Sequence, residues 1–267
     1  MQESKRNSLN VVATAVCAAL YAVGSFTTAY IPSPWGFGQF RPAVVIPSFF
    51  AVVFGAMPAG IGAALGTLIA DSVKHGYIYP GSLIAAVPGN FLGFYLFGRI
   101  ASNRFSWTRF LLASNLTLTL ANFVVAMLYV LVYKMLYLNQ FVELPLGAIA
   151  FLIIGLTIWW FVTMLPFVLL VTPPLIRAAA NAFPSLIPGE VREHSLREEM
   201  PEKTFSLAML VPGLIMISIG LVTSYTSLGN NLESFFGGTT KFLVETMFYL
   251  SGSILTILGI VFRIRVL

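Results

Sequence analysis

The chain has 267 residues, of which 58% are hydrophobic and only 9% are charged, and its net charge is +5. A soluble domain carries about 25% charged residues, so a chain this poor in charge is expected to be solvated by lipid. The basic residues stand singly rather than in a patch, which argues against nucleic acid as a partner. The single cysteine, Cys17, excludes an intramolecular disulfide and is interpreted as a packing residue.

The first apolar stretch follows Lys5 and Arg6 and covers residues 9–30. It is long enough to span the ~30 Å hydrocarbon core of a bilayer. No small-residue cleavage site follows a short apolar core, as it would in a secretory signal peptide. We therefore predict a first membrane helix that is retained in the protein.

The later apolar stretches are long and continuous, without the period-two alternation of a membrane barrel. Because only helices and closed barrels satisfy the backbone in lipid, the predicted fold class is all-α, a polytopic transmembrane helical bundle. Eight membrane helices are predicted, over residues 9–30, 41–56, 58–73, 82–100, 109–136, 144–178, 205–225 and 241–265.

One polar segment divides the chain. It predicts three parts: a six-helix substrate-binding core over residues 1–180, a cytoplasmic linker over 181–204, and two additional membrane helices over 205–267. Mixed charges at i,i+4 spacing over residues 190–199 predict a short surface helix in the linker. That helix is either a contact for a cytoplasmic partner or a solvated connector.

The basic residues predict an orientation. With the N-terminus in the cytoplasm, eleven of the fifteen basic residues fall on the cytoplasmic side. The four external ones are Arg41, Lys74, Lys134 and Lys241. Because cytoplasmic loops of membrane proteins carry the excess of Lys and Arg, this count predicts a multi-pass protein of the cell membrane with both termini in the cytoplasm.

Small residues recur at helical spacing in the first and third predicted helices. The first contains Ala15-x-x-x-Ala19 and Ala18-x-x-x-Ala22, and the third contains Gly62-x-x-x-Gly66. Such residues let helices approach closely in lipid. Packing within the bundle and docking of another membrane protein are both open, and spacing alone favours packing.

Polar residues inside apolar spans tend to mark a substrate path. In the fifth helix, Asn115, Thr119 and Asn122 share one face at i, i+4 and i+7, which is expected to point inward. In the fourth helix, Asn90 follows Pro88, which frees a backbone carbonyl. Hydrogen bonds between helices are the alternative role for these side chains.

Two further groups are candidates for a site. The adjacent Trp159 and Trp160 in the sixth helix cannot both face inward, because a helix turns about 100° per residue. Gln39 and Arg41 stand where the second helix enters the membrane. Arg41 is expected to pair with an anionic ligand or with Asp71, or to serve as an interfacial anchor.

Several chemical functions lack their motifs. The sequence has no Gly-x-x-x-x-Gly-Lys-Ser/Thr loop for ATP and no His-Glu-x-x-His zinc motif. The two histidines, His75 and His194, fall on opposite sides of the predicted membrane and cannot share a metal. We therefore expect no enzyme, no metal site and no cofactor.

Residues 39–71 read QFRPAVVIPSFFAVVFGAMPAGIGAALGTLIAD, with Phe54-Gly55 at the turn before a Gly/Ala-rich helix. This pattern resembles the substrate-binding (S) components of energy-coupling factor (ECF) transporters, a type of ABC transporter. The stretch 88–93, Pro-Gly-Asn-Phe-Leu-Gly, is similar to the fourth helix of that family. The resemblance covers residues 1–180, and the two last helices depart from the six-helix design of the family.

The resemblance implies a function. An S component binds a vitamin or similar micronutrient at its external side, and a transmembrane coupling subunit and two cytoplasmic ATPases supply the energy. The residues expected to line the pocket are Gln39, Arg41, Asn90, Asn122 and Trp159, with Tyr129 near its rim. The residues that resemble the docking surface for the coupling subunit are Ala15, Ala18, Ala19 and Ala22.

Two other classes stay open. An autonomous secondary transporter or channel would need coupling-ion residues within the membrane, where inverted repeats are common. No repeat is evident, and Asp71, the only acidic candidate, lies near a helix end. A structural or assembly factor would leave the polar stripe of the fifth helix unexplained. The substrate itself is not encoded in any motif, because S components of similar backbone bind different cargoes.

Overall fold

The computed structural model describes residues 2–102, 104–194 and 200–264. Within these ranges the regular structure is helical, and a single isolated bridge joins the extended residues Pro32 and Gln39. The predicted all-α bundle is confirmed. The helices are α1 (Gln2–Thr27), α2 (Pro42–Val53), α3 (Ala56–His75), α4 (Ser82–Ala101), α5 (Trp107–Tyr137), α6 (Leu146–Ala182), α7 (Gly189–Glu193), α8 (Glu202–Tyr225), α9 (Ser227–Phe236) and α10 (Gly238–Ile264).

Seven of these helices, all except α2, α7 and α9, are long and apolar enough to cross a membrane. Helix α2 covers only Pro42–Val53, which is about 18 Å at 1.5 Å per residue. That is less than the ~30 Å of a hydrocarbon core. The prediction of a membrane-spanning second helix over residues 41–56 is therefore wrong in its length, because the chain enters the bundle as a loop before the helix begins.

Residues 28–55 nevertheless cross the bundle, because α1 and α3 run parallel. A Cβ atom at Gly62 would lie 2.7 Å from Cys17, and one at Gly66 would lie 2.9 Å from the Tyr21 ring. Further along both helices, Lys74 Nζ donates to the carbonyl of Ala29 at 2.5 Å. The chain must therefore return from the end of α1 to the level where α1 began before α3 can start.

The remaining core helices alternate in direction. Helix α4 runs antiparallel to α3, with Gly98 against Ala56. Helix α5 runs antiparallel to α4, with Gly89 against Val125. The bundle therefore has two ends, and the end where residues 28–41 join α1 to α2 is called the loop end below. It is the side that the basic-residue count predicts to be external.

Both α4 and α5 contain a π-helical segment near the loop end. In α4 it covers Ser82–Ala86, directly before Pro88. Proline has no N–H to donate to the carbonyl four residues earlier, so the helix is free to widen there. In α5 it covers Leu128–Tyr137, and the two segments pack against each other. Wide turns of this kind are frequent at functional sites.

The C-terminal part is an antiparallel hairpin of α8 and α10. A Cβ at Gly213 would lie 2.6 Å from Thr256 Oγ1, and Ser206 Oγ donates to the carbonyl of Gly259 at 2.6 Å. Helix α8 packs on α5, and α9 and α10 pack on α6. Helix α9 was not predicted, because its mixed composition resembles a loop. Its Leu232 side chain is buried against the hairpin.

The linker between the core and the hairpin is docked on the bundle at the end opposite the loop end. Glu190 Oε2 accepts a hydrogen bond from Phe105 N at 3.3 Å, and Arg177 donates to the carbonyl of Val191 at 3.2 Å. Val191 and Ile187 are buried. This part of the linker is therefore anchored on the bundle through Ile187 and Val191, while most of its other residues are exposed. Of the predicted surface helix over 190–199, residues 190–193 are helical and residues 195–199 lie outside the described residues.

The first and last described helical residues lie at the same end of the bundle. Helix α10 returns to the level at which α8 begins, where Gly259 lies close to Leu210 and Ser206. Helix α1 starts at this end too, opposite the loop end. An even number of crossings agrees with this arrangement, and the side of the membrane that this end faces stays a prediction.

Candidate functional site

The loop before α2 enters the bundle instead of covering it. Phe40 N donates to the carbonyl of Ile31 at 2.9 Å, and Ser33 N donates to that of Gly38 at 2.8 Å. Residues 31–40 therefore form a narrow, hairpin-like loop. The Trp35 ring fills the space left by Gly155 in the first third of α6, where an added Cβ would lie 2.3 Å from the ring. Irregular backbone at this depth is tolerated only where protein surrounds it.

The tip of this loop depends on two glycines. Gly36 and Gly38 have φ angles of +77° and +80°, which L side chains rarely adopt. They flank Phe37, whose ring stacks on Tyr129 at 6.0 Å between centroids and also contacts Phe141. The two glycines thus reverse the chain so that a single aromatic side chain projects from the loop toward α5.

The base of the loop is fixed by a buried ion pair. The Arg41 guanidinium bonds to the Asp71 carboxylate and to the Thr67 hydroxyl, and it donates to Gln39 Oε1 at 3.3 Å. Asp71 also accepts a hydrogen bond from Ser82. The side chains of Arg41 and Asp71 are only 9% and 5% exposed. One charge pair therefore joins the loop, α3 and the start of α4, and of the roles expected for Arg41 it is the pairing with Asp71 that the structure contains.

Two groups outside the spans have shifted pKa values. Burial disfavours the charge of Arg41, but the Asp71 carboxylate more than offsets this and raises the pKa of the guanidinium above its ordinary value. Burial, together with the neighbouring Tyr129 hydroxyl, raises the pKa of Tyr79. Arg41 thus stays cationic and Tyr79 stays a neutral hydroxyl at physiological pH.

A cavity lies between the loop and helices α3 to α6. It has a volume of about 170 Å³ and is partly open at the loop end. Its lining residues are Pro32, Gly36, Phe37, Gly38, Gln39, Arg41, Asp71, Lys74, His75, Tyr79, Gly81, Ser82, Ala85, Ala86, Asn90, Asn122, Val125, Tyr129, Trp160 and Met164.

The opening of the cavity is surrounded by aromatic rings. Tyr79 and Tyr129 share a hydrogen bond between their hydroxyls at 3.2 Å. The His75 ring lies parallel to Tyr79, with 3.8 Å between centroids and an angle of 3°. Lys134 Nζ lies 5.6 Å from the centroid of the Phe37 ring. Parallel faces of this kind suit a flat ring system, which gains from offset stacking as well as from burial.

Amide groups lie deeper in the same cavity. Asn122 is only 5% exposed, and its Nδ2 lies 3.6 Å from the Met164 sulfur, a weak acceptor. The side chain of Asn90 forms no hydrogen bond with any of the residues that the structure describes. An amide offers both a donor and an acceptor, so these two side chains can recognise the edge of a polar heterocycle.

Of the six residues predicted to line the site, five do so: Gln39, Arg41, Asn90, Asn122 and Tyr129. The sixth is corrected, because Trp160 lines the cavity and Trp159 does not. Trp160 Nε1 donates to the carbonyl of Gln39 at 3.1 Å, which fixes this ring toward the loop and turns its neighbour away by about 100°. Whether the five residues bind a ligand stays a prediction.

Of the three polar residues predicted to share an inward face of the fifth helix, only one faces the cavity. Asn122 reaches the cavity, whereas Asn115 donates to the carbonyl of Leu111 within its own helix and Thr119 is exposed. Phe37, Tyr79 and Met164 also line the cavity and were not among the predicted site residues. The glycines on either side of Phe37 were a usable signal, since a large ring between two such residues is often displayed by a turn.

These features can be compared with known families. The profile of one family, described as the S component of the ECF-type riboflavin transporter, matches residues 5–171. The match starts in α1 and ends within α6, so it contains every residue that lines the cavity. The chain belongs to this family of ECF-type S components. No individual curated protein and no solved structure matches the chain.

Membership makes this S component a membrane-embedded, substrate-binding subunit for vitamin uptake. Its family consists of transporter subunits and not of enzymes. The docked linker and the hairpin of α8 to α10 lie beyond the matched residues. Among the residues that the structure describes, no three His, Cys, Asp or Glu side chains are grouped closely enough to hold a metal ion.

The alanines of α1 divide into two pairs in this S component. Ala18 and Ala22 are buried, at 5% and 7% exposure, and the Ala18 carbonyl faces Gly66 of α3. Ala15 and Ala19 are exposed. The prediction of one docking surface made of all four alanines thus needs correction: two are used in packing on α3, and only Ala15 and Ala19 are free to meet a partner.

Proposed function

We propose that this S component captures riboflavin, or a closely related flavin, from the external side of the membrane without using ATP. The observation that carries the proposal is the cavity, whose lining combines aromatic rings, including the parallel pair of His75 and Tyr79, with the amides of Asn90 and Asn122. The three-ring system of a flavin has a flat face for stacking and a polar edge for such amides. The family description adds riboflavin as the first candidate.

Energy for uptake comes, in this proposal, from a transmembrane coupling subunit and cytoplasmic ATPases. The sequence has no phosphate-binding loop of its own. The exposed pair Ala15 and Ala19 offers a flat strip of α1 for the coupling subunit. The six-helix block over residues 1–180 would be the binding unit, joined by residues 181–204 to the hairpin. Both termini would lie in the cytoplasm.

Titration of the purified protein in detergent with riboflavin tests the binding proposal. Quenching of flavin fluorescence is expected to show nanomolar affinity in the absence of ATP. Trp160→Phe should weaken binding, since it removes the hydrogen bond that holds Gln39. Trp159→Phe is the matched control, because Trp159 does not line the cavity. Absence of saturable binding by the unaltered protein would overturn the proposal.

Reconstitution tests the need for partners. In liposomes that contain the protein alone, an ion gradient should drive no flavin uptake. Adding a coupling subunit with its ATPases should give uptake that depends on ATP. Uptake by the protein alone would instead favour an autonomous secondary transporter.

A further inference from the structure

The charges around the cavity are not balanced. Arg41 was the residue expected to hold an anionic ligand, but its guanidinium is engaged with Asp71, Thr67 and Gln39. Asp71 in turn accepts from Ser82 as well. The pair is buried and neutral as a unit, so it leaves neither charge for a ligand. Any electrostatic recognition in the cavity must come from another side chain.

Lys74 is that side chain. It lies one turn after Asp71 in α3 and lines the cavity. Its ammonium donates to the carbonyl of Ala29 at 2.5 Å and lies 5.3 Å from the centroid of the Tyr30 ring. Both contacts are to uncharged groups. None of the carboxylates that the structure describes forms an ion pair with Lys74. An ammonium has three donors, so two are left for a ligand.

The other polar side chains that the structure describes near Lys74 offer it no free negative charge. His75 also lines the cavity, and its Nδ1 is bonded to the carbonyl of Asp71 at 2.7 Å. Lys134, beside the opening, is bonded to the neutral Gln140 and lies over aromatic rings. Among the residues that line the cavity, Asp71 is the single carboxylate, and Arg41 already neutralises it. Among the residues that line the cavity, the charge of Lys74 is therefore not balanced by a carboxylate.

We infer that the site prefers a flavin that carries an anionic group, such as a phosphate ester, with Lys74 as the counter-charge. This inference rests on the proposed function and deepens it by naming the substrate class. An unbalanced cation beside a partly enclosed cavity strengthens its interaction with an anion, since water screens it less than at an open surface. A charge-assisted hydrogen bond to phosphate is also stronger than a neutral one.

The test compares riboflavin with riboflavin 5′-phosphate on the purified full-length protein. The phosphate ester is expected to bind about tenfold more tightly or better, the range for one charge-assisted hydrogen bond. Lys74→Gln should abolish this preference by lowering the affinity for the phosphate ester much more than the affinity for riboflavin. Lys241→Gln is the matched control, because Lys241 does not line the cavity and is paired with Glu233 at 2.9 Å.

The outcomes separate the two claims. Binding of riboflavin with equal or greater affinity than its phosphate would overturn the inference and leave the proposed function standing. So would an equal loss of both affinities in Lys74→Gln. If neither flavin bound, the proposed function would fail and this inference with it. Added salt provides a second readout: it should weaken binding of the phosphate ester in the unaltered protein and in Lys241→Gln, but much less in Lys74→Gln.

Discussion

The six-helix block and the C-terminal hairpin are both packed through glycines, but the two regions differ in how their polar groups are used. In both, glycines bring helices into close contact: Gly66 lies against α1 in the block, and Gly252 lies against α8 in the hairpin. Among the residues that the structure describes, only those of the block form a buried ion pair and line a cavity with partly unbonded amides. In the hairpin, buried Ser206 and Thr223 bond to backbone carbonyls. Close helix packing is thus common to both regions, whereas the polar side chains that stay accessible lie in the block, at the candidate site.

The largest expected effect comes from breaking the ion pair of the block. Arg41→Met leaves the Asp71 carboxylate buried without its partner, which costs about 3–5 kcal/mol in soluble proteins. The loop also loses its fixed base, so flavin binding should be lost. Thermal unfolding of the detergent-solubilised protein and fluorescence titration measure the two effects.

A double variant separates stability from positioning. Arg41→Met with Asp71→Leu removes both charges, and an apolar pair in place of a buried ion pair is often neutral in stability. We expect unfolding to return close to that of the unaltered protein while flavin binding stays weak, because nothing then fixes the loop to α3. Recovery of full affinity in the double variant would show that the pair serves stability alone.

The second effect compares one close glycine contact in the block with one in the hairpin. A Cβ at Gly66 would lie 2.8 Å from the Ala18 carbonyl oxygen, and one at Gly252 would lie 2.8 Å from the Ile217 side chain. Gly66→Ala and Gly252→Ala should each destabilise the protein by about 1–3 kcal/mol, as overpacked sites do. Only Gly66→Ala should also weaken flavin binding, because α3 carries Thr67 and Asp71. Equal losses of affinity would show that the hairpin shapes the site.

The third effect uses two asparagines of α5. Asn122→Leu replaces an amide in the cavity wall by an apolar group of similar size, and it should weaken flavin binding about fivefold, or about 1 kcal/mol. Asn115→Leu should leave the affinity unchanged, because Asn115 bonds within its own helix. Calorimetric titration of both variants gives the comparison. A larger loss for Asn115→Leu would contradict the assignment of Asn122 to the site.

The helices themselves could be predicted because apolar length is a property of each segment alone. The observed α6, for example, covers Leu146–Ala182 where residues 144–178 were predicted. The path of residues 31–41 could not be predicted from the sequence, because it depends on the space that α6 leaves at Gly155. Composition identifies such a segment as a loop, but only the packing of distant helices decides that it enters the bundle.

The site was predictable where a polar residue stood alone in an apolar span. Asn90 and Asn122 are of this kind, and both line the cavity. The choice between Trp159 and Trp160 was not predictable. Adjacent residues differ only in the direction that they face around the helix, and the contacts of that helix were unknown. The role of Arg41 also depended on contact, because its partner Asp71 is thirty positions away in the sequence.

The smallest effect is expected inside the hairpin. Tyr249 donates to Ser224 Oγ at 3.0 Å across α8 and α10. Hydrogen bonds between membrane helices contribute about 0.6 kcal/mol on average, so Tyr249→Phe should lower stability only by about that amount. Ser218→Ala is the control, because the Ser218 hydroxyl bonds to the Leu214 carbonyl within its own helix and is exposed. Flavin affinity should be unchanged in both, since the hairpin contributes no residue to the cavity wall. A clear loss of affinity in Tyr249→Phe would show that the hairpin acts on the site through α5 and α6, and the contrast between the two regions would then have to be abandoned.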